Sequence, residues 1–254
     1  MDKKSGKKCI VIKIGSSTIT SGKDFVDTEL IKNLALQASN LYNNGWKVVI
    51  VSSGAVSLGM PRMKNCNINS ILCKQRAAAR GQPLLMAGWN KVFNAFDIDV
   101  DQLLFNKRNF IAHIAILKAI DDGIVIANGD DTGNDPTTEE IVIYEDNDDL
   151  AADIAIALKA DIIVYLTDVP GILDKDGNSL EIVWPFEDLT KKGVVYNGKN
   201  KKGTGGIESK HWHASRAAEH GILTIIAHGK EEEVLYKVTR QEQVGSIYAL
   251  KQQN

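Results

Sequence analysis

Two lysines sit in settings made for phosphate. Lys13 lies near the end of an apolar run and is followed at once by Gly15-Ser16-Ser17-Thr18. Lys210 closes the segment GTGGIESK, Gly203 to Lys210, one turn into an alanine-rich helical stretch. Glycines let backbone N–H groups approach an anion, a helix N-terminus adds positive potential, and an ammonium supplies a full charge. Two such cradles in one chain imply a nucleotide and a group transfer.

Three further clusters sit where strand-like runs end. Val51-Ser52-Ser53-Gly54-Ala55 has small side chains that leave N–H groups open to a carboxylate or phosphate. Asn128-Gly129-Asp130-Asp131-Thr132 and Glu145-Asp146-Asn147-Asp148-Asp149 offer carboxylates that could bind an ammonium or orient the lysines. Acids in a first helical turn serve equally well as caps and dipole complements, so that second role stays open. Other motifs fail on inspection. Gly193 to Asn200 has Walker A glycine and lysine spacing, but Asn200 stands where a hydroxyl is needed. No GxGxxG is present, and Asp174 to Asn178 lacks the glycine and glutamate positions of a calcium loop. His211 and His213 are two apart and cannot share one helical face as a zinc pair.

The elements that must carry these residues alternate. Strands are expected over Ile10–Ile14, Lys47–Val51, Gln102–Phe105, Ile124–Ala127, Ile141–Tyr144, Ile162–Leu166 and Leu223–Ala227, with a last short one over Ser246–Leu250. Most are apolar on both faces, as in a sheet covered on both sides. Helix-period segments lie between them, including Glu29–Tyr42, Phe110–Ile120 and Leu150–Leu158. Pro83 should split the region Ile71–Phe96 into two helices or kink it. The pattern is that of an α/β protein, a three-layer αβα sandwich with a mainly parallel central sheet, in which ligands gather at the C-terminal strand ends. From Pro170 onward, turn residues and lysines predict hairpins and exposed loops, an inserted lobe with no separable domain boundary.

A net charge of -2 with 44% hydrophobic residues gives no reason to expect nucleic-acid binding, and no run approaches a membrane span. Lysines 191, 192, 199, 201 and 202 read as a solvated loop. Cys9, Cys66 and Cys73 form neither an even set nor a CxxC pair, which points to a reducing cytosol. The apolar run after the basic N-terminus is too short for a signal peptide.

Taken as an ordered set, VIKIGSSTIT (Val11–Thr20), VIVSSGAVSLG (Val49–Gly59), RAAARGQ (Arg76–Gln82), EDNDDLAA (Glu145–Ala152), LTDVPGILD (Leu166–Asp174) and GTGGIESK resemble the amino-acid kinase family across essentially the whole chain. The SSGA segment is similar to members that phosphorylate glutamate, whereas acetylglutamate and uridylate kinases have a glycine-rich loop there. The resemblance implies ATP-dependent phosphorylation of the side-chain carboxylate of L-glutamate. It implies that Lys13 and Lys210 contact the transferred phosphate and that Asp148 sits between them and keeps them aimed. Thr167, Asp168 and the segment Thr204, Gly205, Gly206, Ile207, Glu208, Ser209 and Lys210 would hold ATP; Ser53, Asp131 and Asn147 would hold glutamate. Mg²⁺ would be carried by the phosphates and water, with no direct protein ligand named.

The same resemblance implies one kinase domain over 1–254, with acid binding in the N-terminal part and nucleotide binding from about residue 160. It further implies a cytoplasmic homo-oligomer, dimer or tetramer, with proline as a possible feedback inhibitor. Two departures stand out. The family's Asn-Glu-Asn-Asp loop is Asn128-Gly129-Asp130-Asp131 here, and the PUA domain that many members carry at the C-terminus is not expected in this chain. The alternatives are a sibling kinase acting on acetylglutamate, aspartate or a small phosphorylated substrate, or a nucleotide-binding regulator without catalysis.

Overall fold

A computed structural model describes residues 6–67, 69–133, 143–144, 146–195 and 206–249. In chain order the elements are β1 (Cys9–Ile14), α1 (Ser16–Thr20), α2 (Thr28–Asn43), β2 (Lys47–Ser52), α3 (Ala55–Gly59), α4 (Ile71–Asn94), β3 (Asp99–Phe105) and α5 (Phe110–Ala119). They continue with β4 (Gly123–Gly129), α6 (Asn147–Leu158), β5 (Ile162–Thr167), β6 (Ile182–Val183), α7 (Ile207–Glu219), β7 (Leu223–His228), α8 (Val234–Thr239) and β8 (Ser246–Tyr248). The strands form one eight-stranded sheet in the order β3-β4-β2-β1-β5-β7-β8-β6. All neighbours pair in parallel except β7 and β8.

Side-chain alternation along the strands divides the interior into two cores, one per face. Ile10, Ile12 and Ile14 join Leu30 and Leu34 of α2, Trp89 and Phe93 of α4 and Leu235 of α8. Val11, Val49 and Tyr165 join Leu117 of α5, Leu150 and Ile154 of α6 and Ala214 and Ala217 of α7. Helices therefore cover both faces, and every residue of β1 is buried. β1 lies at the point where the order turns. The chain goes from β1 to β2 on one side and later crosses through α6 to β5 on the other, which opens a crevice at the C-terminal ends of β1 and β5.

One helix runs over 71–94 with Pro83 inside it, so of the two expectations the split into two helices is overturned. Packing outweighs the lost hydrogen bond, because α4 lies against both α2 and α3 and buries Leu85, Trp89 and Phe93. Its contact with α3 is unusually close: a Cβ on Gly81 would lie 1.8 Å from the Ala55 carbonyl oxygen, and one on Gly59 equally close to that of Ala77.

Other expectations also change. Ile143 and Tyr144 are not in a strand, and the rest of that expected strand lies outside the described residues. The last strand stops at Tyr248. The stretch after Pro170 forms a turn closed by a Leu173–Ser179 bridge and then adds β6 beside β8, so part of the expected lobe belongs to the sheet. Cys66 and Cys73 are joined as a disulfide that ties the approach of α4 to its first turn, while Cys9 is buried in β1. The expectation that the cysteines stay unbridged is thus corrected: a separation of 7 residues suffices once a helix start folds one back on the other. Among the described residues no helix is long and apolar enough to cross a membrane.

The two glycines of α4 make a matched test of the close contact. Gly81→Ala forces α3 and α4 apart and should destabilise by about 1–3 kcal/mol. Gly88→Ala places its Cβ 3.5 Å from Ile31 Cδ1, ordinary contact, and should be neutral or stabilising. Urea denaturation of both variants checks the difference.

Candidate active site

The alternation that buries β1 also aims its lysine. Lys13 shares a face with Val11, on the side covered by α6 and α7, and lies one residue from the strand's end. There it meets Asp148, in the first turn of α6, with Nζ 2.5 Å from Oδ1. Lys210, in the first turn of α7, places its Nζ 2.8 Å from Oδ2 of the same carboxylate. Lys13, Asp148 and Lys210 are only 5%, 1% and 9% exposed. Tyr165 backs the group, with its ring 5.8 Å from the Lys210 ammonium.

Burial alone would raise the Asp148 carboxyl, but the Lys13 and Lys210 charges overcome it and hold the group well below the usual carboxylate range. Burial would likewise lower Lys13, yet Asp148, with Asp146 behind it, keeps that ammonium above its ordinary value. For Lys210 burial prevails: Asp148 pulls upward, Lys13 pushes down, and the net shift is downward. Two ammoniums on one carboxylate carry a surplus positive charge into a poorly solvated place. An incoming anion completes the balance.

Each acid of the cluster at the start of α6 has its own task. Asp146 caps the helix, accepting from the Asp148 N–H at 2.9 Å, and Ser209 Oγ lies 3.4 Å from its other oxygen. Asp149 and Asp153 clamp Arg216 of α7, both at 2.5 Å, and Tyr144 Oη donates to Asp153 at 3.1 Å. This clamp fixes α7 against α6 and so sets the height of Lys210. The pairing of Arg216 with two acids one helical turn apart was not singled out from the sequence, though the spacing Asp149 to Asp153 is its signal.

Asn147 joins the other strand ends. Its Oδ1 accepts from the Gly129 N–H at 3.0 Å, while its Nδ2 donates to Ser53 Oγ at 3.0 Å and to Asn128 Oδ1 at 2.8 Å. Asn128 in turn donates to Gln82 Oε1 of α4 at 2.9 Å. Ser53 is held by its N–H on the Ile14 carbonyl at 3.0 Å, and the neighbouring Ser52 accepts from the Trp89 indole. Gly54, at φ +118°, makes the turn into α3 that only glycine takes readily. Asp130, one of the departures from the family loop, is used locally: its carboxylate accepts from Thr132 and Asn106. Asp131 is different. Burial, with Asp130 adding, pushes its carboxyl up to about 6.

A cavity of about 1080 Å³ lies over the crevice. It is lined by Lys13, Ser53, Asp148, Thr167, Asp168, Gly206, Ile207 and Lys210, together with Gly15 to Thr18 at the start of α1. Leu173, Val194 and Val195 supply an apolar wall, and Lys230 a further cation. These groups fit a nucleotide: an apolar slot, hydroxyls, N–H groups and ammoniums. Of the residues expected to touch ATP, Glu208 is exposed and Ser209 turns to Asp146, so neither lines the cavity; Thr204 and Gly205 lie outside the described residues. Asp131 and Asn147 also stand back from it, Asn147 reaching it through Ser53. Among the described residues no cluster of three or more histidine, cysteine or acidic side chains could hold a metal ion. Both Asp148 oxygens are occupied by ammoniums.

Residues 8–228 match the sequence profile of the Amino acid kinase family. A glutamate 5-kinase of Thermoanaerobacter sp. (strain X514) is 35% identical, aligned over 94% of this chain and 67% of its own length. One from Clostridium acetobutylicum is 31% identical over 94% of this chain and 93% of its own. Among solved structures, the isopentenyl phosphate kinase of T. acidophilum superposes with a TM-score of 0.66, covering 95% of this chain and all of that one, at 17% identity, a likeness of fold. On the strength of its sequence and of the sheet that carries its paired lysines, the chain belongs to the amino acid kinase family.

Proposed function

We propose that the chain is a glutamate 5-kinase, moving the γ-phosphoryl group of ATP onto the side-chain carboxylate of L-glutamate to give γ-glutamyl phosphate and ADP. The observation that carries the reading is the Lys13–Asp148–Lys210 group, buried at the wall of the cavity. The kinase chemistry rests on the family; the choice of glutamate rests on the Ser53–Asn147 cradle and on the named relatives.

In this reading a side-chain oxygen of glutamate attacks the γ-phosphorus in line, and the bond from that phosphorus to the β,γ-bridging oxygen breaks, its electron pair leaving with ADP. A carboxylate with pKa about 4.3 is already ionised at neutral pH, so no general base is required. The task is to bring anions together. Lys13 and Lys210 offset that repulsion, with Asp148 holding both tips at fixed positions so that little reorganisation accompanies the transfer. A Mg²⁺ ion bound with the nucleotide would supply further neutralisation, and Asp148, with both oxygens taken by lysines, would not be its ligand.

Thr167, Asp168 and the Gly206–Ile207 entry to α7 hold the nucleotide, and Thr204 and Gly205, outside the described residues, belong to the same sequence motif. Ser53 donates to the acid and Asn147 positions Ser53. Asp131 receives the α-ammonium. Acid binding therefore falls to the N-terminal part and nucleotide binding to the part from about residue 160, in one kinase domain. A homo-oligomer in the cytoplasm, open to proline inhibition, completes the proposal.

ATP-dependent hydroxamate formation, run over glutamate, acetylglutamate and aspartate, tests the substrate; a preference for another acid overturns the choice of glutamate. Lys210→Ala should lower turnover by about 10²–10³. Asp148→Asn leaves two buried ammoniums facing each other and should lose both activity and about 3–5 kcal/mol of stability, read by hydroxamate assay and urea melts.

Asp131 sets a pH signature. Its carboxyl titrates near 6, so below that value the charge opposing the α-ammonium is lost and KM for glutamate should rise about tenfold per pH unit. The folded-state pKa is raised, so ionised Asp131 costs stability at neutral pH, and that cost is relieved as pH falls from about 6 toward 4. Asp131→Asn should have a high, pH-independent KM for glutamate and an unaltered KM for ATP; a profile like the parent's excludes this role.

A further inference from the structure

Asn147, Asn128 and Gln82 form a chain of three side-chain amides whose polarity is not adjustable. The Gly129 backbone N–H can only donate, so the Asn147 atom facing it is the oxygen. Its nitrogen must then point to Asn128 and Ser53. Asn128 therefore offers its oxygen to Asn147 and its nitrogen to Gln82, whose oxygen accepts. At the end of the chain Gln82 is left with an NH₂ that is buried and, among the described residues, has no acceptor. At the other end Ser53 accepts from Asn147 and keeps its own O–H to donate. One backbone N–H thus turns both ends of the chain into donors.

An orphaned buried donor loses its hydrogen bond to water without replacement, so it does nothing for the fold alone. We infer that Gln82 is a specificity residue whose Nε2 donates to the α-carboxylate of the bound amino acid, while Ser53 serves the end nearer the transfer. The order of the sheet decides which carboxylate goes where. Lys13 is on β1 and Asn128 on β4, with β2 between them, so Asn128, which carries the Gln82 end, stands two strand spacings, ~10 Å, from the strand of the reacting lysine. The carboxylate that is not phosphorylated occupies that far end. The assignment rests on the proposed amino-acid kinase activity and adds to it the group that recognises the substrate's backbone.

Gln82→Glu isolates the donors. Its carboxylate still accepts from Asn128 Nδ2, preserving the chain, but it presents charge of the wrong sign to a second carboxylate. KM for glutamate should rise about 10- to 100-fold while KM for ATP is unmoved. With L-isoglutamine, the α-amide of glutamate, as alternative substrate, the ratio of kcat/KM for amide over acid should shift by at least about tenfold toward the amide. The parent enzyme needs no variant for the complementary arm: it should strongly prefer glutamate to isoglutamine. Equal use of the two by the parent, or an unmoved KM for glutamate in Gln82→Glu, overturns the assignment while leaving the kinase reading intact. A parent silent on glutamate in the same assay overturns the substrate reading itself, and this inference with it.

Discussion

One carboxylate held between two ammoniums governs the architecture. Asp148 can stand 1% exposed as an anion only because Lys13 and Lys210 reach it from different elements, and the two cations tolerate each other's proximity only because it is there. Removing Asp148 leaves two buried ammoniums without their complement, and removing either lysine takes the partner from one carboxylate oxygen, so the group acts as a unit. Around it the sheet supplies positions: β1 brings Lys13 on the correct face, the crossing helix α6 brings Asp148, and α7, locked by Arg216, brings Lys210.

The same helix start serves both sides of the cavity. Asn147 faces the strand ends that carry Ser53 and Gly129, and Asp148, its neighbour, faces the lysines. A shift of α6 that relaxed one set of contacts would disturb the other. The two binding functions proposed for the site are thereby tied to a single turn of backbone, whose geometry is held by the Asp146 cap. The close approach of α3 and α4 plays the corresponding part on the opposite face, fixing the turn at Gly54 that presents Ser53 and the level of Gln82.

The sheet was largely legible because its strands are apolar on both faces and end in small or charged residues, as β1 and β2 do. The lysine pair and Asp148 were legible because phosphate-type loops and the family's motifs flank them. What escaped was decided by contacts between distant segments. Pro83 remains inside a helix because α4 as a whole packs against α2 and α3, β6 is a strand only because β8 lies beside it, and the cysteine pairing depends on where α4 begins. The Arg216 clamp and the polarity of the amide chain were likewise invisible in one dimension, since each is a relation among side chains from separate elements. Asp130, by contrast, looked like a candidate ligand and proves to be turn chemistry.

The ion group joins the first strand to two helices of the later chain, with Asp148 and Lys210 alone 62 positions apart in sequence. No early segment contains even a working portion of it. Loop closure of that length means the charges meet only after β5 has docked on β1 and β7 on β5, late in folding. A nascent or partly melted chain accordingly has no premature nucleotide trap, and occupancy of the cavity by triphosphate becomes a reporter of completed assembly.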